Sequence, residues 1–181
     1  MTLTDIANIA LEDLGGKPIS SIDGDDFDAQ RLKRRIKSTI DDVAAMRKWT
    51  CLRRAVKLSV SEKGDVENRF LLPNGLVEII EVSPHCQWRI EGRELVSTAQ
   101  EMEILCTVIS YNPNDWNVHF KAAVLAKFGA DIAFMVSGNA QLAAQKKQLA
   151  QMEVAQCISR DFYAETPRKE QSGITWFEEM G

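Results

Sequence analysis

Apolar positions recur at helical spacing over two stretches near the start of the chain. In the first, Ile6, Ile9, Ala10 and Leu14 form a stripe; Thr2 or Thr4 is placed to cap it and Gly15-Gly16 to stop it. The second, Phe27 to Trp49, reads as one long helix. Turning 100° per residue from Leu32, the residues Ala29, Ile36, Ile40 and Val43 fall within about 80° of it. Arg34, Lys37 and Lys48 fall roughly 140–200° away, with Arg31, Lys33 and Arg35 on the flanks. Such a helix buries one side and presents a cationic surface.

After Trp49 the period shortens to two. Val56, Leu58 and Val60 alternate with polar residues as one half-buried strand, and Ser61 to Asn68 is a loop or long hairpin tip. Phe70 to Gly75 turns into a second strand, Leu76 to Val82; Gln87–Ile90 and Glu94–Ser97 flank a Gly92 hairpin; Ile104 to Tyr111 completes a sheet of four or five short strands. From Trp116 the helical period returns. Phe120, Val124, Phe128 and Ala130 to Phe134 predict a helix deep in the core, broken at Ser137-Gly138-Asn139. Ala140 to Ala164 is a further helix, with Leu142, Leu149, Met152 and Phe162 as partial apolar periodicity. Its Gln141, Gln145, Gln148 and Gln151 form a polar ridge that suits solvent or a neighbouring subunit. The periodicity ends at Thr166, and residues 166–181 read as an extended, flexible tail carrying the apolar patch Ile174-Thr175-Trp176-Phe177. The expected fold is therefore α+β: a bundle of about four helices (1–50 and 112–165, one discontinuous domain) with a small antiparallel β insertion (51–111) and that tail.

Charge changes this picture. The net charge of −4 argues against a generic nucleic-acid binder, but the distribution is split. Residues 1–30 carry seven acids against Lys17 alone, whereas 31–57 carry ten bases against Asp41 and Asp42. Opposite blocks suit subunits packing head to side, or they neutralise each other within one subunit. Cys51, Cys86, Cys106 and Cys157 form no CxxC pair, which points to reduced, mostly buried thiols. The N-terminus lacks signal-peptide character, and no apolar run approaches a membrane span. Asp23-Gly24-Asp25-Asp26 lacks the spacing of a calcium loop, so no metal is expected there.

Catalytic signatures are missing: there is no GxSxG, HExxH, P-loop or GxGxxG, and the adjacent acids Asp41-Asp42 and Glu178-Glu179 do not face a common centre on a helix. No enzyme, metal or cofactor is expected. The basic stretch 31–48 is able to follow a phosphate backbone, but it lacks interleaved aromatics and a helix-turn-helix partner.

The order of short motifs resembles a known family. Ala10-Leu11-Glu12-Asp13-Leu14-Gly15 is followed by Pro18-Ile19-Ser20-Ser21-Ile22-Asp23-Gly24-Asp25, and a long helix then ends at Arg47-Lys48-Trp49-Thr50. Phe70-Leu71-Leu72-Pro73 leads into a strand, and Asn112-Pro113-Asn114-Asp115-Trp116 opens a helical hairpin. Across residues 5–165 this is similar to the head-to-tail connector (adaptor) proteins of tailed bacteriophages, in particular the tail tubular protein A group. Lys48 departs from that group's Gly or Pro before the tryptophan.

The resemblance implies a structural virion protein, made in the host cytoplasm and placed at the head–tail junction. It implies a ring, usually of twelve copies, that docks under the portal protein, extends the DNA channel without sequence specificity and offers a surface to a tail nozzle or other tail protein. Ile174, Trp176 and Phe177 become expected portal anchors. Arg31, Lys33, Arg34, Arg35 and Lys37 become candidates for the channel lumen or for a subunit interface; a strongly cationic lumen would hold DNA back, which favours the interface. The alternatives are a small α+β nucleic-acid-binding or regulatory module acting through the basic helix, and a head-completion protein of another tailed-phage class.

Overall fold

A computed structural model describes residues 1–64 and 66–165. Ile174, Trp176 and Phe177, and the tail that carries them, lie outside the described residues.

Helix α1 (Leu3–Glu12) opens with a capping box: the Thr2 side chain accepts from Asp5 N–H and the Asp5 carboxylate accepts from Thr2 N–H at 2.6 Å. It closes as the chain passes through Gly15 at φ +72°, which lets Gly16 N–H reach back to Leu11 C=O at 2.8 Å. Helix α2 (Phe27–Ala45) starts at Asp26, whose Oδ1 accepts from Ala29 N–H at 2.8 Å. Its stripe of Ala29, Leu32, Ile36, Ile40 and Val43 is buried as the periodicity predicts.

α2 stops four residues before Trp49, short of the expected length. The cause is Trp49 itself. Its indole Nε1–H folds back to donate to Val43 C=O at 2.7 Å, a second hydrogen bond to the carbonyl that already accepts from Met46 N–H at the helix end. The ring is fully buried edge-on against Phe120 with centroids 5.2 Å apart, and Trp116 meets Phe120 with the same edge-on geometry and spacing. No glycine or proline is needed to end this helix, which accommodates Lys48.

A short 3-10 turn (Thr50–Leu52) leads into seven antiparallel strands in two sheets. β1 (Arg53–Lys57), β7 (Glu103–Val108) and β4 (Leu76–Ser83) form one sheet in the order β1-β7-β4. β2 (Ser59–Lys63), β3 (Asn68–Leu71), β6 (Glu94–Ser97) and β5 (Trp88–Glu91) form the other in the order β2-β3-β6-β5. The single strand expected through Val56, Leu58 and Val60 is in fact divided at Leu58. Leu58 N–H donates to Met102 C=O at 2.8 Å, beyond it the backbone leaves β7 for β3, and Val60 ends up exposed. Leu58, Phe70, Leu72, Val82, Leu95, Met102, Ile104 and Cys106 fill the resulting core.

Helix α3 (Val118–Ser137) is capped by Asn117 and ends at Gly138 with φ +63°; α4 (Ala140–Glu165) returns beside it. Both helices correct the expectation from periodicity. Phe134, assigned to the deep core, is 60% exposed, and the buried positions of α3 are Phe120, Ala123, Val124, Phe128, Ile132 and Ala133. In α4, Leu149, Met152 and Phe162 are each more than half exposed, whereas Ala150, Val154, Cys157 and Asp161 face inward. Small residues on the inner face bring the two helices close, and the larger apolar side chains point outward. The four glutamines of the ridge are all exposed.

A buried polar knot ties α2, α3 and α4 together. The Asp161 side chain, 0% exposed, accepts from Thr50 Oγ1–H at 2.7 Å, Thr50 N–H at 3.3 Å and Asn117 Nδ2–H at 2.7 Å, and lies 3.0 Å from Arg47 Nε. Arg47 also donates to Ile158 C=O at 2.9 Å, and Asn117 Oδ1 accepts from Phe120 N–H at 2.8 Å while capping α3. The corner after α2, the start of α3 and the end of α4 thus share one carboxylate.

Candidate functional site

The cations of α2 do not form the continuous surface from 31 to 48 that the helical wheel suggests. Because the helix stops at Ala45, Arg47 turns inward to Asp161 and Lys48 pairs with Glu78 of β4 at 2.9 Å. Within the helix the five candidates also separate. Lys33 pairs with Asp23 at 2.7 Å. Lys37 lies over the Tyr111 ring, 5.6 Å from its centroid. Tyr111 in turn donates its O–H to Asp41 at 2.7 Å; that carboxylate, with some burial, pushes the phenol up to about 12.

Arg31, Arg34 and Arg35 remain together. With Ser38 and Met135 of α3 they line an open depression of about 310 Å³ on the helical body. Arg31 is held over the exposed Phe27 ring, 5.3 Å from its centroid. Arg34 and Arg35 make no ion pair among the described residues. An arginine cluster of this kind, with fork-shaped donors and little competing acid, suits a carboxylate-bearing or phosphate-bearing surface.

The acidic block is only weakly engaged by the basic one. Asp26 and Asp5 act as helix caps, and the Thr2 hydrogen bonds hold the Asp5 carboxyl below its ordinary value. Among the described residues one ion pair, Lys33–Asp23, joins residues 1–30 to residues 31–57. Glu12, Asp13, Asp25 and Asp28 are exposed and make no ion pair there. Among the described residues, direct ion pairs between the two blocks therefore neutralise little of the split charge.

Other ionic groups have local structural partners. On the β insertion, Arg69 meets Glu62, Glu91 and Glu94, and Arg89 meets Glu67 and Glu91, a half-buried ladder that holds Glu67, Glu91 and Glu94 below the usual carboxylate range. Lys127 bridges Asp42 and Asp131, each at 3.2 Å, and Asp131 also accepts from buried Thr39. Cys51, Cys106 and Cys157 are free thiols pushed up chiefly by burial, which disfavours the reactive thiolate. Among the described residues no three His, Cys, Asp or Glu side chains converge as a metal site, the Asp23–Asp26 turn included, and no helix is long and apolar enough to cross a membrane.

Two features escaped the sequence reading. The Arg47–Asp161 knot joins residues more than a hundred positions apart, and an acid near the end of a helix gives no sign of whether it is buried. The inward face of α4 has a weak signature, the i, i+4, i+7 series Ala150, Val154 and Cys157, which the larger residues of the helix obscure. No protein-family model matches the chain, and no curated protein matches it.

Proposed function

We propose that the chain is a non-enzymatic virion subunit, a head-to-tail connector that closes into a ring of about twelve copies under a portal. The observation that carries the reading is the coexistence of an Arg34–Arg35 cluster with a separate acidic segment, the two making little ionic contact with each other among the described residues. Two different, complementary patches on one chain are what a heterologous, ring-closing contact requires. Arg31, Arg34 and Arg35 meet the acidic face of the next subunit, while Lys33 and Lys37 are engaged within their own subunit by Asp23 and Tyr111. The β insertion, with its own core, offers a second surface to a tail nozzle or other tail protein. DNA passes through the lumen without base readout. Ile174, Trp176 and Phe177 of the tail engage the portal.

The test is negative-stain imaging of the full-length protein alone and mixed with the portal from the same source. Rings, or an added layer beneath the portal, are the expected result. A particle that stays small in both samples, yet binds duplex DNA at physiological salt, overturns the reading in favour of a nucleic-acid-binding module.

A further inference from the structure

Between the end of α2, the middle of α3 and the outer part of α4 lies an apolar groove of about 330 Å³. Met46, Ala130, Ala150, Val154, Ala155 and Ile158 supply its apolar lining. Three of these are alanines, so the groove has room where a core would place a branched side chain. Met46 at its lip is 47% exposed. The charged rim is uneven. Lys127 and Asp131 satisfy each other, but Lys147 is exposed and makes no ion pair among the described residues.

We infer that this groove is the docking site of the chain's own segment Ile174–Phe177, folded back along α4 in the isolated subunit. α4 is one wall of the groove, and the sixteen residues that follow it begin where that wall ends. The groove lies about 10–27 Å back along α4, taking 1.5 Å per residue from Glu165 to Ile158 and to Lys147. An extended chain covers at most about 30 Å to Ile174 and about 40 Å to Phe177. The apolar cluster therefore reaches the groove with slack for a reversal.

The tether also decides between this occupant and a second copy. A short linker holds the segment at an effective concentration of about millimolar, above that of free subunits in dilute solution. Composition and direction agree with this. Ile174, Trp176 and Phe177 are the only large apolar cluster in 166–181, and one or two such side chains fill a groove of this size. Running antiparallel to α4, the segment brings Glu178 and Glu179 to the end where Lys147 stands. The inference stands on the groove and the tether, whether or not the chain is a connector. In a connector, the same docking would keep the portal anchor covered until the portal competes for it.

Hydrogen exchange on the full-length protein tests this without a partner. Amides of residues 172–178 are expected to exchange at least about tenfold slower than in an unstructured peptide, equally at low and high protein concentration. Ala155→Arg, at an exposed groove position, should return them to the unprotected rate. Trp176→Ser with Phe177→Ser should do the same without touching the folded body. Lys147→Glu should reduce protection, and Glu178→Lys with Glu179→Lys should restore it. Three results overturn the inference: no protection in the unaltered protein, protection that Ala155→Arg leaves intact, or protection that grows with concentration, which would mark a second copy as the occupant.

Discussion

Replacing Asp161 with alanine should be among the most damaging single changes in the helical body. Its side chain is wholly buried and gathers Arg47, both Thr50 donors and Asn117. Alanine leaves the Thr50 hydroxyl and the Asn117 amide without that acceptor, and removes the Asp161 carboxylate from beside Arg47, whose side chain is 11% exposed. Removing one partner of a buried ion pair costs about 3–5 kcal/mol. Against a typical stability of about 5–15 kcal/mol that is a large fraction. At roughly 2–4 °C per kcal/mol for a chain of this size, the midpoint should fall by about 6–20 °C. Asp161→Asn keeps the volume and one acceptor oxygen and should cost less, about 1.5–3 kcal/mol. The assay is unfolding of the full-length protein followed by circular dichroism, by urea for the free energy and by heat for the midpoint, with Lys57→Ala as control. Among the described residues Lys57 pairs with Glu101, both exposed, and its loss should leave the midpoint unchanged. If Asp161→Ala shifts stability by less than about 1 kcal/mol, the knot is not what fixes the α2 corner to α4.

Three further outcomes follow from local geometry. Tyr111 should ionise near 12, and Asp41→Asn should bring it back towards 10, read by ultraviolet absorbance. Since the folded-state value is the raised one, the added stability is full below about pH 10 and fades as pH climbs through 12; an unshifted Tyr111 would contradict the hydrogen bond to Asp41. Gly138→Ala, at φ +63° with open space around the added carbon, should lose only about 1 kcal/mol of backbone preference in urea unfolding, and a loss above about 3 kcal/mol would mean the αL cap is not the whole account. On the proposed connector reading, reversing Arg34 and Arg35 to glutamate should leave the monomer's unfolding unchanged but abolish ring assembly on the portal, scored by particle images. Rings formed by that variant would remove the arginine cluster from the interface.

Much of the helical body is legible in the sequence because its determinants are local. The Thr2–Asp5 capping box, the Gly15 and Gly138 stops and the Leu32–Val43 stripe each depend on residues within a few turns of one another. The hairpin at Gly92 and the turn into Leu76 are legible for the same reason. What sequence pattern misassigned were choices among distant partners. Alternation through Val56, Leu58 and Val60 reads as one strand, but it does not reveal that β7 and β3 claim opposite ends of it. The wheel placed Arg34, Lys37 and Lys48 on one outer face, but the helix length that it assumed was set by Trp49 bonding back to Val43 against Phe120, seventy residues away.

The arginine cluster shows the same division. Its residue types and helical spacing are written in the sequence, which establishes a cationic outer face on α2. Which of those cations stay free to meet another molecule was decided by tertiary contacts alone: Asp23 takes Lys33, Tyr111 lies under Lys37, Asp161 takes Arg47 and Glu78 takes Lys48. Local sequence fixes periodicity and capping, since those energies act over three or four residues. It does not fix which charges are neutralised, because an ion pair depends on distance in space, and only the packed chain sets that.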